Sequence, residues 1–171
     1  RAAAYQAVSY LIQQGHRKIA VLGGPATSHP SMMRRQGAQQ AMEDAGIRFE
    51  DKLYGLSNYD FESAYHAMNG LLARRAEFTA LFAMSDVIAF GAIRALVSAG
   101  LRVPEDVSVI GFDGITMSRY CVPVMTTIVQ PSEQIALQSI ELLVRQIEHG
   151  TPAQTVTLQP ELQQGESVRA L

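Results

Sequence analysis

One carboxylate in this sequence stands at a position where an α/β protein could use it for chemistry. Asp113 follows a nearly continuous apolar run that begins at Val107, a pattern typical of a strand buried on both faces of a parallel sheet. Gly114 then permits a turn. Because α/β sheets bind their ligands at the carboxyl ends of their strands, Asp113 is a candidate ligand-binding residue. The alternative is that it only caps a turn.

Polar residues also follow two other predicted strands. The apolar run 19–22 leads into a loop and a helix that carry Ser28 to Arg34, and the run 80–84 ends at Ser85 and Asp86. Parallel strands end at the same edge of a sheet, so we expect these residues to face one crevice with Asp113. The alternative for Ser85 and Asp86 is a helix cap, a role expected above all for Asp86.

A carboxylate and a guanidinium at one edge would suit a ligand with several hydroxyl groups. Asp113 accepts hydrogen bonds from hydroxyls, Arg34 donates to oxygens, and an aromatic ring such as Phe61 can cover the apolar face of a sugar. Such binding requires no catalytic residues. The alternatives are that Arg34 is solvated or paired on the surface and that Phe61 and Tyr65, at helical spacing, belong to the core.

Composition and motifs exclude several classes of function. The 14 Lys and Arg residues are balanced by 16 Asp and Glu, so this chain lacks the basic surface of a nucleic-acid-binding protein, and any DNA contact must come from elsewhere. Neither a nucleophile elbow nor a phosphate-binding loop occurs. We therefore expect no enzymatic activity and no cofactor. The four histidines lack metal-ligand spacing, which predicts no metal site.

Cysteine content and hydropathy indicate the compartment. The single cysteine, Cys121, excludes an intrachain disulfide, and no apolar stretch is long enough to span a bilayer. The first residues lack the apolar segment of a signal peptide and begin within a helical pattern. We expect a cytoplasmic protein that makes no membrane contact, and a chain that is part of a longer one.

The first two thirds of the chain alternate between short apolar runs and amphipathic stretches. Strands are predicted at 19–22, about 52–56, 80–84 and 107–115, and helices at 2–14, 31–46, 60–74 (with Asp60 as its N-cap) and 87–99. No hairpin signal interrupts this alternation. The pattern predicts an α/β fold with a doubly wound, mostly parallel sheet.

The last third is less regular. Pro123 prevents a regular helix across 115–124, and 125–130 is a short β-like run. A long amphipathic helix is predicted at 132–149, with a buried face formed by Ile135, Leu142, Leu143 and Ile147. Two short strands are predicted at 156–158 and 166–169.

An ordered set of motifs gives the chain a family resemblance. It resembles the effector-binding half of LacI/GalR-family transcription regulators along essentially its whole length. The motifs are Gly15-His16-Arg17-Lys18-Ile19, Gly24-Pro25, Arg34-Arg35-Gln36-Gly37, Ser85-Asp86 with Gly91-Ala92, the specific block Val103-Pro104-Glu105-Asp106 through Gly111-Phe112-Asp113, Pro123, and Thr126-Thr127-Ile128.

The resemblance implies a periplasmic-binding-protein-like type I core made of two subdomains, with a small effector in the cleft between them. Residues 1–128 would form the C-terminal subdomain, 129–152 a crossover and a helix that belong to the N-terminal subdomain, and 153–171 a return segment. The DNA-binding helix-turn-helix and most of the N-terminal subdomain would then precede Arg1. Operator DNA would be bound only through that N-terminal headpiece.

The resemblance also assigns an effector site. Arg34 matches the family's effector-contacting arginine and Asp113 its hydroxyl-binding aspartate. The remaining effector-binding candidates are Phe61, Ser85, Ser28, Pro30 and Gln130. Ser28 and Pro30 differ from the Arg and Thr of the purine-type pattern, which favours a sugar or glycoside. Ser85, where many members have Asn, and Gly114, where many have a second Asp, are departures from the family pattern.

The family's C-terminal subdomain also supplies a dimer surface. The matching residues here are Tyr65, Phe90, Met117, Tyr120 and Cys121, although Cys121 could equally be a small buried apolar residue. The leading hypothesis is a homodimeric, sugar-responsive transcriptional repressor that works by allostery. A periplasmic sugar-binding receptor of a transporter is the alternative, and an α/β enzyme that uses Asp113 and Arg34 is the third hypothesis.

Overall fold

The computed structural model describes residues 1–75, 77–150 and 152–171. Regular elements follow one another along the chain as α1 (Ala2–Gln13), β1 (Ile19–Gly23), α2 (His29–Asp44), β2 (Tyr54–Leu56), α3 (Phe61–Ala73), β3 (Ala80–Ala83), α4 (Asp86–Ser98), β4 (Ser108–Asp113), β5 (Thr126–Val129), α5 (Ser132–His149) and β6 (Glu161–Gln163). Short 3-10 turns at Asp51–Leu53 and Thr116–Arg119 precede β2 and lead toward β5.

The strands form one six-stranded sheet in the order β2-β1-β3-β4-β5-β6. Strands β1 to β5 pair in parallel, and β6 pairs with β5 in antiparallel orientation. The strand order reverses direction between β1 and β3, because β2 lies on one side of β1 and β3 on the other. This confirms the predicted doubly wound, mostly parallel sheet.

Helices cover the sheet on both faces. The crossover from β1 to β2 and the crossover from β2 to β3 run in opposite directions along the sheet. Right-handed connections therefore place α2 and α3 on opposite faces, where α1 packs against α2 and α3 packs against α4. The central strands are buried from both sides: Leu22, Phe82 and Ile110, on β1, β3 and β4, have no exposed surface. Continuous burial explains why these strands read as unbroken apolar runs.

Helix α5 does not bury the face that its sequence pattern predicts. None of its residues is buried, Leu142 is only half-buried, and Ile135, Leu143 and Ile147 are 41%, 56% and 74% exposed. The prediction of a buried face is wrong for this chain because, among the described residues, no core element packs against that stripe. None of the described helices is long and apolar enough to cross a membrane.

The tail forms one short strand, β6, and the two strands predicted at 156–158 and 166–169 are absent. Ser167 accounts for part of the difference. Its hydroxyl accepts from Thr126 N at 2.8 Å and donates to Val109 O at 2.6 Å, and its carbonyl accepts from Val109 N at 2.7 Å. These bonds attach the tail beside β4 and β5 without a regular ladder, since a side chain takes the place of backbone partners.

Candidate functional site

The first feature of the candidate site is a half-buried ion pair between Arg34 of α2 and Asp113 at the end of β4. Arg34 Nη2 donates to Asp113 Oδ1 at 3.1 Å, and the two side chains are 14% and 27% exposed. Arg34 Nη1 also donates to the carbonyl of Met84, just past β3. The guanidinium lies over the Phe112 ring, with Cζ 3.8 Å from the ring centroid. Arg34 is therefore fixed by three neighbours.

Gln130 completes the polar cluster. Its Nε2 donates to Asp113 Oδ1 at 2.5 Å, and its backbone N donates to Asp113 O at 3.0 Å. Both side-chain bonds to Asp113 fall on the same oxygen. Among the described residues, Oδ2 accepts no hydrogen bond, so the carboxylate retains an acceptor for an external donor.

Burial and charge act on Asp113 in opposite directions. Burial raises the pKa of its carboxyl above the ordinary value, while the positive charge of Arg34 and the bonds from Gln130 and Arg34 lower it. The backbone of Asp113 is also unusual, with φ of 118°. Backbone outliers of this kind cost roughly 1–3 kcal/mol and cluster at functional sites.

The cluster lies where the sheet topology reverses. Arg34 follows β1, Met84 follows β3, and Asp113 ends β4, so all three meet at the carboxyl edge of adjacent strands. This is the place at which open α/β sheets bind ligands. The structure thus brings together three residues predicted for the site, Arg34, Asp113 and Gln130.

Ser85, not Asp86, caps helix α4. Ser85 Oγ accepts from Ile88 N at 3.1 Å, whereas Asp86 lies inside the first turn. The prediction that Asp86 is the cap is wrong because its side chain bonds elsewhere: Oδ1 accepts from Thr127 Oγ1 at 2.6 Å and Oδ2 from Ile115 N at 2.9 Å. Asp86 has no exposed surface, and burial raises the pKa of its carboxyl.

The other predicted effector residues lie around the same edge. Ser28 immediately precedes α2 and is half-buried, with no side-chain capping bond, and Pro30 is exposed in the first turn of that helix. Phe61 is the first residue of α3 and is 48% exposed. The predicted cap Asp60 is confirmed, since its Oδ1 accepts from Ser63 N at 2.8 Å. The effector roles of Ser28, Pro30 and Phe61 stay predictions, as do those of Ser85, Arg34, Asp113 and Gln130.

Tyr59 is a candidate that the sequence did not single out. A Cβ added to Gly24 would lie 2.0 Å from Tyr59 Cε2, so the ring lies directly against that glycine. The Tyr59 hydroxyl is buried and has no hydrogen-bond partner among the described residues. Its φ of 62° is a second non-glycine outlier at this edge. The signal available in the sequence was its position directly before the helix cap Asp60, where an apolar side chain often packs against the first turn of the helix.

The residues predicted for a dimer surface differ in exposure. Met117 and Tyr120 are 60% and 77% exposed, and Tyr65 and Phe90 are half-buried against the core. Cys121 is half-buried, with its thiol within bonding distance of the carbonyls of Ser118 and Pro123 (3.3 and 3.2 Å). Val122, which lies within the segment 117–124 that the family resemblance assigns to the dimer surface, is 93% exposed beside them.

The histidines show no metal-ligand arrangement. Of the residues that the structure describes, no three among His, Cys, Asp and Glu are grouped closely enough to hold a metal ion. His16 is buried and bonds instead to Thr79 Oγ1 at 2.9 Å and Arg169 O at 3.1 Å.

Comparison with known proteins points to one group of regulators. The profile of the periplasmic binding protein-like domain family matches residues 8–168. The HTH-type transcriptional repressor PurR of Histophilus somni is 38% identical over 168 residues, which are 98% of this chain and 50% of that protein. The chain therefore spans about half the length of the curated relatives it matches.

Solved structures share the fold closely. A sugar-binding transcriptional regulator of the LacI family from Escherichia coli, determined in complex with phosphate, has a TM-score of 0.92 at 34% identity and covers 99% of this chain, which covers 61% of it. The transcriptional regulator CelR, determined with cellobiose, has a TM-score of 0.92 at 35% identity, with coverage of 96% and 51%.

Proposed function

This chain belongs to the periplasmic binding protein-like domain family, among the LacI-type regulators, and we propose that it is the effector-binding and dimerisation part of a sugar-responsive transcriptional repressor. The observation that carries the proposal is the cluster of Arg34, Asp113 and Gln130 at the carboxyl edge of the sheet. The cluster holds a carboxylate in place and leaves Oδ2 free of described partners. Binding is the task that such an arrangement suits, and no proton transfer or covalent step is required of it.

A polyol fits the polarity of this cluster. The free Asp113 oxygen can accept from one or two hydroxyls, and Arg34 and Gln130 hold the acid in place so that little side-chain freedom is lost on binding. Two similar structures, a sugar-binding regulator and a complex with cellobiose, support the same ligand class. The PurR of Histophilus somni is 38% identical to this chain, so the ligand panel below also contains purines.

The second wall of the binding cleft is proposed to come from outside this chain. Residues 1–128 would form one subdomain, 129–152 would cross into the other, and 153–171 would return. Further apolar residues of α5 are also exposed, among them Leu137 and Ile140, each 62% exposed. This exposure supports the division, because a stable amphipathic helix normally buries its apolar residues. An effector between the walls would favour one closure angle and so alter operator binding.

Operator binding is likewise assigned to the remainder of the protein. The net charge of this chain is −2, which is unlike the basic surface that DNA contact requires. The protein is proposed to be a cytoplasmic homodimer, with Met117, Tyr120, Cys121, Tyr65 and Phe90 at the dimer surface. A periplasmic receptor would share the cleft and its chemistry. The similar proteins are transcriptional regulators, however, and this supports the repressor.

A thermal-shift screen of the full-length protein tests the ligand class. The panel contains D-glucose, D-galactose, D-ribose, maltose and cellobiose, with hypoxanthine and guanine as the purine arm. A bound ligand at one hundred times its Kd stabilises the native state by about 2.7 kcal/mol, which raises the midpoint by several degrees. A shift with a sugar alone supports the proposal. A shift with the purines alone would overturn the sugar assignment.

A further inference from the structure

The buried carboxylate of Asp86 is not used by the effector site described above, yet it lies next to it. Its two oxygens bond to two different segments: Oδ1 to the Thr127 hydroxyl on β5, and Oδ2 to the backbone N–H of Ile115. Ile115 is two residues after Asp113, and Thr127 is three residues before Gln130. One side chain therefore holds both chain segments that deliver the Asp113–Gln130 contact.

The path of the Asp86 side chain is built into β4. A Cβ added to Gly111 would lie 2.2 Å from Asp86 Oδ1 and 3.3 Å from Thr127 Oγ1. The absence of a side chain at Gly111 thus lets the carboxylate pass across β4 from the start of α4 to β5. A larger residue at this position would displace it.

Asp86 has no salt-bridge partner among the described residues, and its carboxylate is held by hydrogen bonds alone. Leaving a buried carboxylate without a cation is unfavourable, so the hydrogen bonds to Thr127 and Ile115 must compensate for its burial. The segment it holds is Asp113 to Ile115, which contains the outlier φ of 118° at Asp113 and the turn at Gly114. A bond to the Ile115 amide fixes the backbone on the far side of that turn.

We propose that Asp86 is a positioning residue for effector binding: it holds the Asp113–Ile115 backbone and strand β5 together so that Asp113, Arg34 and Gln130 keep their mutual geometry. The inference rests on the proposed effector site. The same bond fixes the chain directly before the Thr116–Arg119 turn, which begins the segment proposed for the dimer surface. Through this one bond, Asp86 holds backbone that is shared by the proposed effector site and the proposed dimer surface.

Hydrogen–deuterium exchange of the full-length protein, resolved to single residues, tests the inference without any ligand. In Asp86→Ala the Ile115 amide loses its acceptor, and the Gln130 amide reports on the position of Asp113 O. We expect both amides to exchange at least about tenfold faster. Asp86→Asn should restore protection to within a few-fold, because its Oδ1 can accept from Ile115 N and its Nδ2 can donate to the Thr127 hydroxyl.

Ile110→Val is the matched control, since it removes one buried methylene from β4 and leaves the carboxylate bonds intact. A purely structural role for Asp86 would raise exchange at Ile115 and Gln130 no more than Ile110→Val does after correction for global stability, and that result would overturn the inference. If Asp86→Ala does not fold, Asp86→Ser replaces it with the same criterion, because a serine hydroxyl cannot reach both partners.

The sugar that gives the largest shift in the panel above supplies the second readout. Asp86→Ala is expected to weaken its binding about fivefold or more, whereas Ile110→Val changes it less than about twofold. Equal effects of the two variants on affinity would overturn the positioning role. A panel without any bound sugar would count against the proposed function, while the exchange experiment would still decide whether Asp86 holds the segment.

Discussion

Arg34 Nη2 and Asp113 Oδ1 lie 3.1 Å apart, although the two residues are separated by 79 positions in the chain. Each is delivered by a different strand-to-helix or strand-to-loop transition at the same edge of the sheet. The pair is half-buried, so removal of either partner leaves an uncompensated charge in a low-dielectric setting. This relationship underlies the functional proposal.

Substitutions of Tyr59 and Phe61 can show which of the two aromatic rings contacts the effector. Tyr59→Leu should weaken binding of the panel sugar more than Phe61→Leu does, because the Tyr59 ring lies against Gly24 at the site edge while Phe61 is 48% exposed. Loss of one ring is expected to cost about 0.5–1.5 kcal/mol, or about two- to tenfold in Kd. Calorimetric titration measures the Kd of both variants. A larger effect of Phe61→Leu would favour Phe61, the aromatic residue predicted from the sequence.

Tyr59→Phe isolates the hydroxyl. That group is buried without a described partner, so its removal should leave the unliganded protein as stable as the wild type or more so, by up to about 1–2 kcal/mol. If the hydroxyl bonds to the effector, the same variant should bind the sugar several-fold more weakly. Urea unfolding and calorimetry give the two values. A destabilised variant with unchanged affinity would exclude this role.

His16 predicts a pH dependence of stability. Burial lowers the pKa of His16 below its ordinary value of 6.5, and the positive charge of Arg169 acts in the same direction, while the bond to the Arg169 carbonyl opposes them. The unfolded chain therefore binds a proton that the folded chain rejects. The free energy of unfolding should fall as the pH drops from above about 6.5 toward the folded-state pKa.

Denaturant unfolding between pH 8 and 5 measures this slope in wild type and in His16→Gln. The slope should be smaller in His16→Gln. His66→Gln is the control, because the His66 side chain is exposed, and this variant should keep the wild-type slope. Identical slopes in wild type and His16→Gln would show that His16 does not govern this dependence.

The exposed apolar residues of α5, which include Ile140, predict an intramolecular contact in the full-length protein. Ile140→Ser should destabilise that protein by about 1.5–3 kcal/mol if the side chain packs against the proposed second subdomain. Gln146→Ser, on the same helix and exposed, is the control and should change stability by less than about 0.5 kcal/mol. The two variants are compared by chemical unfolding. Equal, small effects would place Ile140 in solvent and contradict the division at residue 129.

Much of the fold could be predicted from the sequence because its signals are local. The runs that became β1, β3 and β4 are buried on both faces, and that burial leaves an unmistakable apolar pattern. Asp60 was recognisable as a cap because its bond to Ser63 N spans only three residues. The parallel orientation of β1 to β5 was predicted from the absence of hairpin signals, although their order in the sheet was not.

The sequence could not reveal relationships that depend on tertiary contacts. The choice of Ser85 over Asp86 as the cap is decided by Thr127 and Ile115, which draw the Asp86 carboxylate away from the helix end. The amphipathic pattern of α5 shows which face is apolar, but not which part of the protein covers it. The strand β6 and the bonds of Ser167 likewise depend on a tail that returns to β4 and β5 from far along the chain.

The central claim, that Asp113 binds the effector, is tested most directly by calorimetric titration of full-length wild type and Asp113→Asn with the sugar that gives the largest thermal shift. Asparagine tolerates positive φ better than most residues, so the variant should fold, while its charge and its pairing with Arg34 are lost. Asp106→Asn is the control, because its exposed pair with Arg102 lies outside the site. We expect the Kd of Asp113→Asn to rise at least about tenfold and the Kd of Asp106→Asn to equal that of the wild type. Unchanged affinity in a folded Asp113→Asn would contradict the account.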